Sequence, residues 1–295
     1  MRVCLSIWLM VLGTMLALAA GAGPLLATGL PDTVETEQVR LQLISEATGM
    51  APGQPLTVGI HMTFKEGWHA YWMNPGDSGM PPTFTFTLPP GFQAGEVQWP
   101  FPTRLPGAGE VIYGYEGNAL FLCTIQVPPS VVPGERHSIR MDVSGLLCSA
   151  DACLPFEAAL QLTLPVTAEP PARDERWQKL FAEGRHRLPG TPAGWVFEAT
   201  ATPDQKYRIA ITPPAGQSVP GTVHFFPFTS DAIKPSAPQI LEPPAEGRPA
   251  TLIVERGFAD PGPTLKGVLT GAGGWGPEPI AGWGAVEVSI PVVTR

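Results

Sequence analysis

The chain is short of charge, and of positive charge most of all. Only 15% of its 295 residues are charged, against roughly 25% in ordinary soluble domains. Lys+Arg number 18 against 26 Asp+Glu, a net charge of -8. A nucleic-acid binder needs a basic face to neutralise phosphates, so that class is excluded. Cysteine is also scarce: there are four, none beyond Cys153. Beyond the N-terminal segment no stretch resembles a membrane span. What is abundant is Gly (33) and Pro (36), together about twice ordinary usage. In a disordered chain apolar residues would be few, but here 44% of residues are hydrophobic. Gly and Pro punctuate short apolar runs, which predicts an all-β protein with many turns.

Arg2 is the only charge before Asp32, and Leu5 to Ala20 is almost wholly apolar. Small residues follow at Ala19, Ala20, Gly21, Ala22 and Ala27. This pattern fits a secretory signal peptide over residues 1–27, cleaved after Ala20, Ala22 or Ala27. An uncleaved anchor is the rival reading, but the second half of the run is rich in Gly and Ala. Cys4 lies too early for a lipid-modified cysteine at the cleavage point and leaves with the signal. Export implies a compartment where disulfides persist.

From Glu37 the sequence alternates with period two. Val39, Leu41 and Leu43 point one way; Leu56, Val58, Ile60, Met62 and Phe64 repeat the pattern. Further runs lie at Phe84–Leu88, Leu120–Val127, His137–Val143 and Phe156–Leu164, separated by Pro and Gly clusters. Seven or so such strands read as a sandwich over residues 34–167. Residues 168–189 form a linker in which Trp177, Leu180 and Phe181 stand at helical spacing, a short amphipathic helix ending near Gly184. Strand patterns return at Trp195–Ala199, Tyr207–Ile211, Val223–Phe228, Leu252–Val254, Leu265–Leu269 and Val286–Val292. They predict a second, smaller β domain over residues 190–295.

Three cysteines remain in the exported chain. Cys123 shares a strand face with Phe121, Ile125 and Val127, so it reads as a buried thiol acting as a small hydrophobe. Cys148 and Cys153 lie between two strands, with four residues between them that allow a tight turn to bring the sulfurs together. As a staple, a six-residue loop stabilises by only about 2 kcal/mol, against about 4.7 kcal/mol for a 100-residue loop. Short loops can also make a disulfide labile. Spacing alone leaves a staple and redox exchange both open. Metal binding by two cysteines without a close His or second pair is the weaker alternative.

Two other patterns invite chemistry. Gly76-Asp77-Ser78-Gly79 suggests a serine protease, but such enzymes need a His and an Asp well upstream on separate strands, which the chain lacks. That segment reads better as a turn, with Asp77 bonding local backbone. His61, Met62, His69, Met73 and Met80 form a loose cluster that could suit a copper-handling exported protein. Met62 and His61 face opposite ways along their strand, however, and Trp68, Tyr71 and Trp72 suggest ordinary packing.

The block Gly67-Trp68-His69-Ala70-Tyr71-Trp72-Met73-Asn74-Pro75-Gly76-Asp77-Ser78-Gly79-Met80-Pro81 resembles the signature of the N-terminal periplasmic domain of DsbD/ScsB-type disulfide reductases. Val97-Gln98-Trp99-Pro100, Tyr113-Gly114-Tyr115-Glu116-Gly117 and the Cys148…Cys153 turn ending in Leu154-Pro155 match in order. The likeness runs from Glu37 to Val166, and more weakly into a cysteine-free domain that follows in ScsB-like members. It implies an immunoglobulin-like sandwich with protein-disulfide reductase-like activity and no cofactor or metal. Cys148 and Cys153 would be the redox pair. Ile112, Tyr113 and Gly114 would form a cap loop shielding it, hinged by Gly107, Gly109 and Gly117. The implied partners are a membrane-embedded disulfide reductase as electron donor and a periplasmic thioredoxin-like or other thiol client protein. Family members continue into a transmembrane domain; with the sequence stopping at Arg295, the expected donor is a separate protein. The competing expectation is an immunoglobulin-like binding or structural module whose disulfide is inert.

Overall fold

In a computed structural model of the chain, residues 29–107, 109–260, 262–276 and 283–294 are described. The segment expected to be a signal peptide lies outside them. Eleven strands precede one helix among these residues. They are β1 (Thr33–Glu35), β2 (Val39–Ser45), β3 (Pro55–Phe64), β4 (His69–Gly76), β5 (Thr83–Thr87) and β6 (Gln93–Ala94). There follow β7 (Thr103–Pro106), β8 (Val111–Glu116), β9 (Asn118–Gln126), β10 (Arg136–Cys148) and β11 (Cys153–Pro165). After helix α1 (Gln178–His186) come β12 (Val196–Thr202), β13 (Lys206–Thr212), β14 (Val223–Pro227), β15 (Ile240–Glu242), β16 (Ala250–Glu255), β17 (Thr264–Ala272) and β18 (Trp283–Thr294).

The first eleven strands form two sheets. One runs β1-β2-β3-β9-β6; the other runs β11-β10-β4-β8-β7, with β5 also paired to β10. Period-two alternation turns Val58, Ile60 and Met62 of β3 and Ile139, Met141 and Val143 of β10 into the shared core. The all-β expectation therefore holds, and the packing is that of an immunoglobulin-like sandwich. Strand β9 departs from simple alternation because both its faces are covered. Phe121, Cys123 and Ile125 enter the core between the sheets, while Leu120 and Leu122 pack under Phe181 of α1. Burying one such aromatic side chain stabilises by about 1.5–3 kcal/mol. The helix thus closes the outer face of the first sheet.

The strands after α1 form a seven-stranded sheet ordered β14-β17-β18-β12-β13-β16-β15, in which β12 and β18 run parallel. Its core holds Tyr207, Ile209, Phe225, Leu252, Leu265 and Ile290. The two halves touch: Phe226 and Val268 belong to the core of the first.

Cys123 is fully buried and free, its thiol donating to the carbonyl of Gly95 at 3.4 Å. Burial pushes its pKa up, so little reactive thiolate forms. Alkylation of the native protein with iodoacetamide should leave Cys123 unmodified until denaturant is added. Rapid labelling in native buffer would show the thiol to be accessible.

Candidate functional site

Strands β10 and β11 form a long antiparallel hairpin whose last register pair is Cys148 opposite Cys153. Directly opposed side chains share a face, and here the two sulfurs are joined in a disulfide, with Cα atoms 4.1 Å apart. Residues 149–152 make the turn. Ser149 holds it, its amide donating to the Ala152 carbonyl at 2.7 Å and its hydroxyl accepting from the amides of Asp151 and Ala152. The two cysteines are unequal in exposure. Cys148 is 1% exposed, whereas Cys153 is exposed and is followed by Leu154 at 41%.

Strand β4 supplies the wall. His69 pairs with Cys148, and β4 pairs with β8 through His69–Glu116, Ala70–Tyr115 and Tyr71–Gly114. Alternation therefore puts His69, Tyr71, Gly114 and Glu116 on the disulfide face. Ala70, Tyr113 and Tyr115 point the other way, into the core. The Tyr71 hydroxyl donates to Cys148 Sγ at 2.7 Å and lies 3.8 Å from Cys153 Sγ. The His69 ring meets the Tyr71 ring edge-on at 5.5 Å. Burial raises the Tyr71 pKa, and Glu110 adds to the rise, so the phenol is a neutral donor at physiological pH.

A loop after β4 covers the Tyr71 ring. Gly79 has φ of +120°, and a Cβ there would lie 2.0 Å from the ring, so only glycine fits. Asp77 accepts from the Val111 amide at 2.7 Å, and Ser78 donates to Glu110 at 2.6 Å. Asp77 thus ties two strands together instead of bonding local backbone as the sequence suggested, and Ser78 is paired with a carboxylate. Met80, 47% exposed, follows at the loop's outer edge.

The proposed cap residues are placed differently from the sequence expectation. Ile112, Tyr113 and Gly114 lie within β8, paired to β7 and β4, not in a loop. Tyr113 is fully buried, its ring 4.8 Å from that of Phe226, and it faces away from the sulfurs. Ile112, opposite Gly76, and Gly114, opposite Tyr71, are on the disulfide side. The tyrosine that touches the sulfurs is Tyr71, which sequence reasoning treated as ordinary packing. The available signal was its position two residues after His69, on a strand beside the cysteine hairpin.

The His/Met cluster is not assembled. His61 lies on the outer face of the first sheet beside Leu120, Met62 is in the core, and His69 is on the outer face of the opposite sheet. Among the described residues no group of three or more His, Cys, Asp or Glu could hold a metal ion.

Residues 38–165 match the family described as "Thiol:disulfide interchange protein DsbD, N-terminal". No curated protein matches the chain. Among solved structures, the N-terminal periplasmic domain of ScsB from Proteus mirabilis superposes with a TM-score of 0.62 at 14% identity, covering 90% of this chain and 98% of that one. This likeness extends the shared fold across both halves. The GAE domain of yeast GGA1 (TM-score 0.25, 10% identity, 44% and 95% covered) and an I-band fragment of titin (0.20, 12%, 88% and 67%) are too distant to inform the site.

Two outcomes follow from this geometry. If a thiolate attacks Cys153, the leaving sulfur is Cys148, and a hydrogen bond to that departing charge speeds exchange. Hydrogen bonds to charged groups contribute about 1.5–3 kcal/mol, so Tyr71→Phe, which keeps the covering ring, should slow reduction by dithiothreitol at least about tenfold. An unchanged rate would remove the hydroxyl from the chemistry. Burial also holds His61, His69 and His224 below the ordinary imidazole range. The unfolded chain therefore takes up protons first as pH falls, so stability present above that range is lost below it. The thermal midpoint should decline between about pH 7 and pH 5 and stay level from about pH 7 to pH 8, as calorimetry would record.

Proposed function

We propose, from the premise that residues 38–165 belong to the N-terminal family of DsbD thiol:disulfide interchange proteins, that Cys148 and Cys153 form the exchange centre of an electron relay. The single observation that carries this reading is the asymmetry of the pair: an exposed Cys153 beside a buried Cys148 whose sulfur already receives a hydroxyl donor. A staple needs neither feature. Exchange needs one sulfur open to in-line attack and a second held within reach to resolve the mixed disulfide, and a donor at the departing sulfur assists it.

A thiolate of the donor attacks Cys153 Sγ, the Cys148–Cys153 bond breaks, and the electron pair leaves on Cys148, stabilised by the Tyr71 hydroxyl. A second donor thiol then displaces Cys153, leaving the donor oxidised and this pair reduced. In the outward step the Cys153 thiolate attacks a client disulfide. Cys148 resolves the mixed disulfide, so the client departs as a dithiol and the Cys148–Cys153 bond re-forms. The donor in this reading is a membrane-embedded disulfide reductase, and the clients are periplasmic thioredoxin-like or other thiol proteins.

The shield over the disulfide in this reading is Tyr71 and its covering loop, with Tyr113 outside it. Tyr71 shields the sulfurs from strand β4 and is itself covered by the Gly79 loop, with Ile112 on the same face of β8, while Met80 and Leu154 give a docking protein an apolar rim. Periplasmic location rests on the family and on the N-terminal apolar segment. No helix among the described residues is long and apolar enough to cross a membrane. In this reading the exchange unit spans residues 34–167 and the second β unit 190–295, with 168–189 as the linker between them.

Cys148→Ala leaves Cys153 without its resolving partner and should accumulate a covalent, dithiothreitol-sensitive complex with the redox partner in intact cells. Cys153→Ala should accumulate none. Capture by Cys148 alone would reverse the polarity. If neither variant captures a partner and the bond has a reduction potential well below about -300 mV, the pair is a staple.

A further inference from the structure

Between Tyr71–Gly114 and Gly76–Ile112 the β4–β8 register slips: β4 advances five residues while β8 advances two. The excess is a bulge running from Trp72 to Pro75, immediately after the tyrosine that donates to Cys148. A bulge leaves ladder groups unpaired and needs support from elsewhere. That support comes from the second half of the chain. Asn74 is 1% exposed. Its Nδ2 donates to the carbonyl of Pro227 at 2.7 Å and reaches that of Thr229 at 3.5 Å. Its Oδ1 accepts from the Gly76 amide at 3.1 Å and from the Ser230 hydroxyl at 3.4 Å. One buried amide therefore joins the bulge to three residues of the other half.

The same segment grips the neighbouring strands. Arg104 of β7 donates from Nη2 to the carbonyls of Pro235 and Ala237, at 2.8 and 3.2 Å. Ser236 lies 3.5 Å from Asp77, whose other oxygen holds Val111. Trp72 packs its ring 6.2 Å from Phe226 and 5.7 Å from Phe228. Strand β4 is thus pinned on one face by residues 226–237 while its opposite face presents Tyr71 to the disulfide.

We infer that the second β unit is a positioning element for the exchange centre, with Asn74 as the residue through which it acts. The bulge has no ladder to β8 of its own, so its shape is set by the Asn74 amide and the Trp72 contacts. Tyr71, next in the chain, inherits that shape. Without the amide, the bulge relaxes and the hydroxyl spends less time within hydrogen-bonding distance of Cys148 Sγ. Asn74 touches neither sulfur; its effect passes through Tyr71. The inference rests on the disulfide being an exchange centre only in its biological meaning, since any disulfide has a rate of reduction.

The experiment is a double-mutant cycle on the full chain, reading the rate of disulfide reduction by dithiothreitol. Asn74→Ala should slow it about fivefold, and the same change in a Tyr71→Phe background should add almost nothing, because coupled residues are non-additive. A purely structural role would lower stability without this dependence on the hydroxyl. If Asn74→Ala does not fold, Arg104→Met, which loosens the same segment from β7, should show the same direction and the same dependence on Tyr71. A folded variant with the wild-type rate, or equal slowing with and without the Tyr71 hydroxyl, overturns the inference. Failure of the relay reading would look different: no partner captured through Cys153, with the Asn74 effect on the rate intact.

Discussion

Strand β4 has to serve two faces at once, and the structure depends on how it does so. Its alternate residues cannot share a destination: Ala70 and Trp72 are committed to the core, which commits His69 and Tyr71 to the outer face. The cysteine hairpin reaches that face because Cys148 pairs with His69. Register then decides the chemistry. A slip of one residue would turn Tyr71 into the core between the sheets and bring Trp72 to the sulfurs, exchanging a hydroxyl donor for an indole. Much of what surrounds the disulfide fixes this register, including the Ala70–Tyr115 and Tyr71–Gly114 pairs and the glycine that lets a loop lie on the tyrosine ring.

The sequence was most legible where one physical rule acted alone. Strand β3 alternates cleanly because one of its faces is core, and β12, β13, β16, β17 and β18 were located from the same signal. The helix was visible from Trp177, Leu180 and Phe181, although its role of covering Leu120 and Leu122 was not. Strands β4 and β8, which build the site, escaped the periodic reading. In β4 the bulge and the Asn74-Pro75-Gly76 run break the period, and β8 is short and interrupted by Gly114. The cysteine pair was legible from spacing and resemblance. The tyrosine beside it was not, because a resemblance supplies positions along the chain but not the face each one takes. Tyr113 shows the cost of that gap: it is one residue from the disulfide side of β8 and points into the core.

Burial separates the chain's cysteines by chemistry as well as by place. Cys123 is sealed between the sheets with a raised pKa, while Cys153 stands at the surface. A protein that handles disulfides is exposed to scrambling if a third thiol can reach the pair. Among the described residues the remaining thiol, Cys123, is kept by the sandwich core away from the hairpin end that carries Cys148 and Cys153.

The order of strands in the second half has a consequence for how the molecule is made. Strand β18 joins β14 and β17 on one side to β12, β13, β16 and β15 on the other, and it comes later in the chain than all of them. As a polypeptide emerges from a ribosome or a translocation pore, that sheet stays in two pieces until β18 arrives. Such non-local closure is slow, and it exposes unpaired strand edges while it waits. The first sandwich, whose strands are all earlier, is free to fold sooner. Residues 226–237 also come later in the chain than every strand of the first sandwich, so the hairpin that carries Cys148 and Cys153 can form before the support behind Tyr71 is in place.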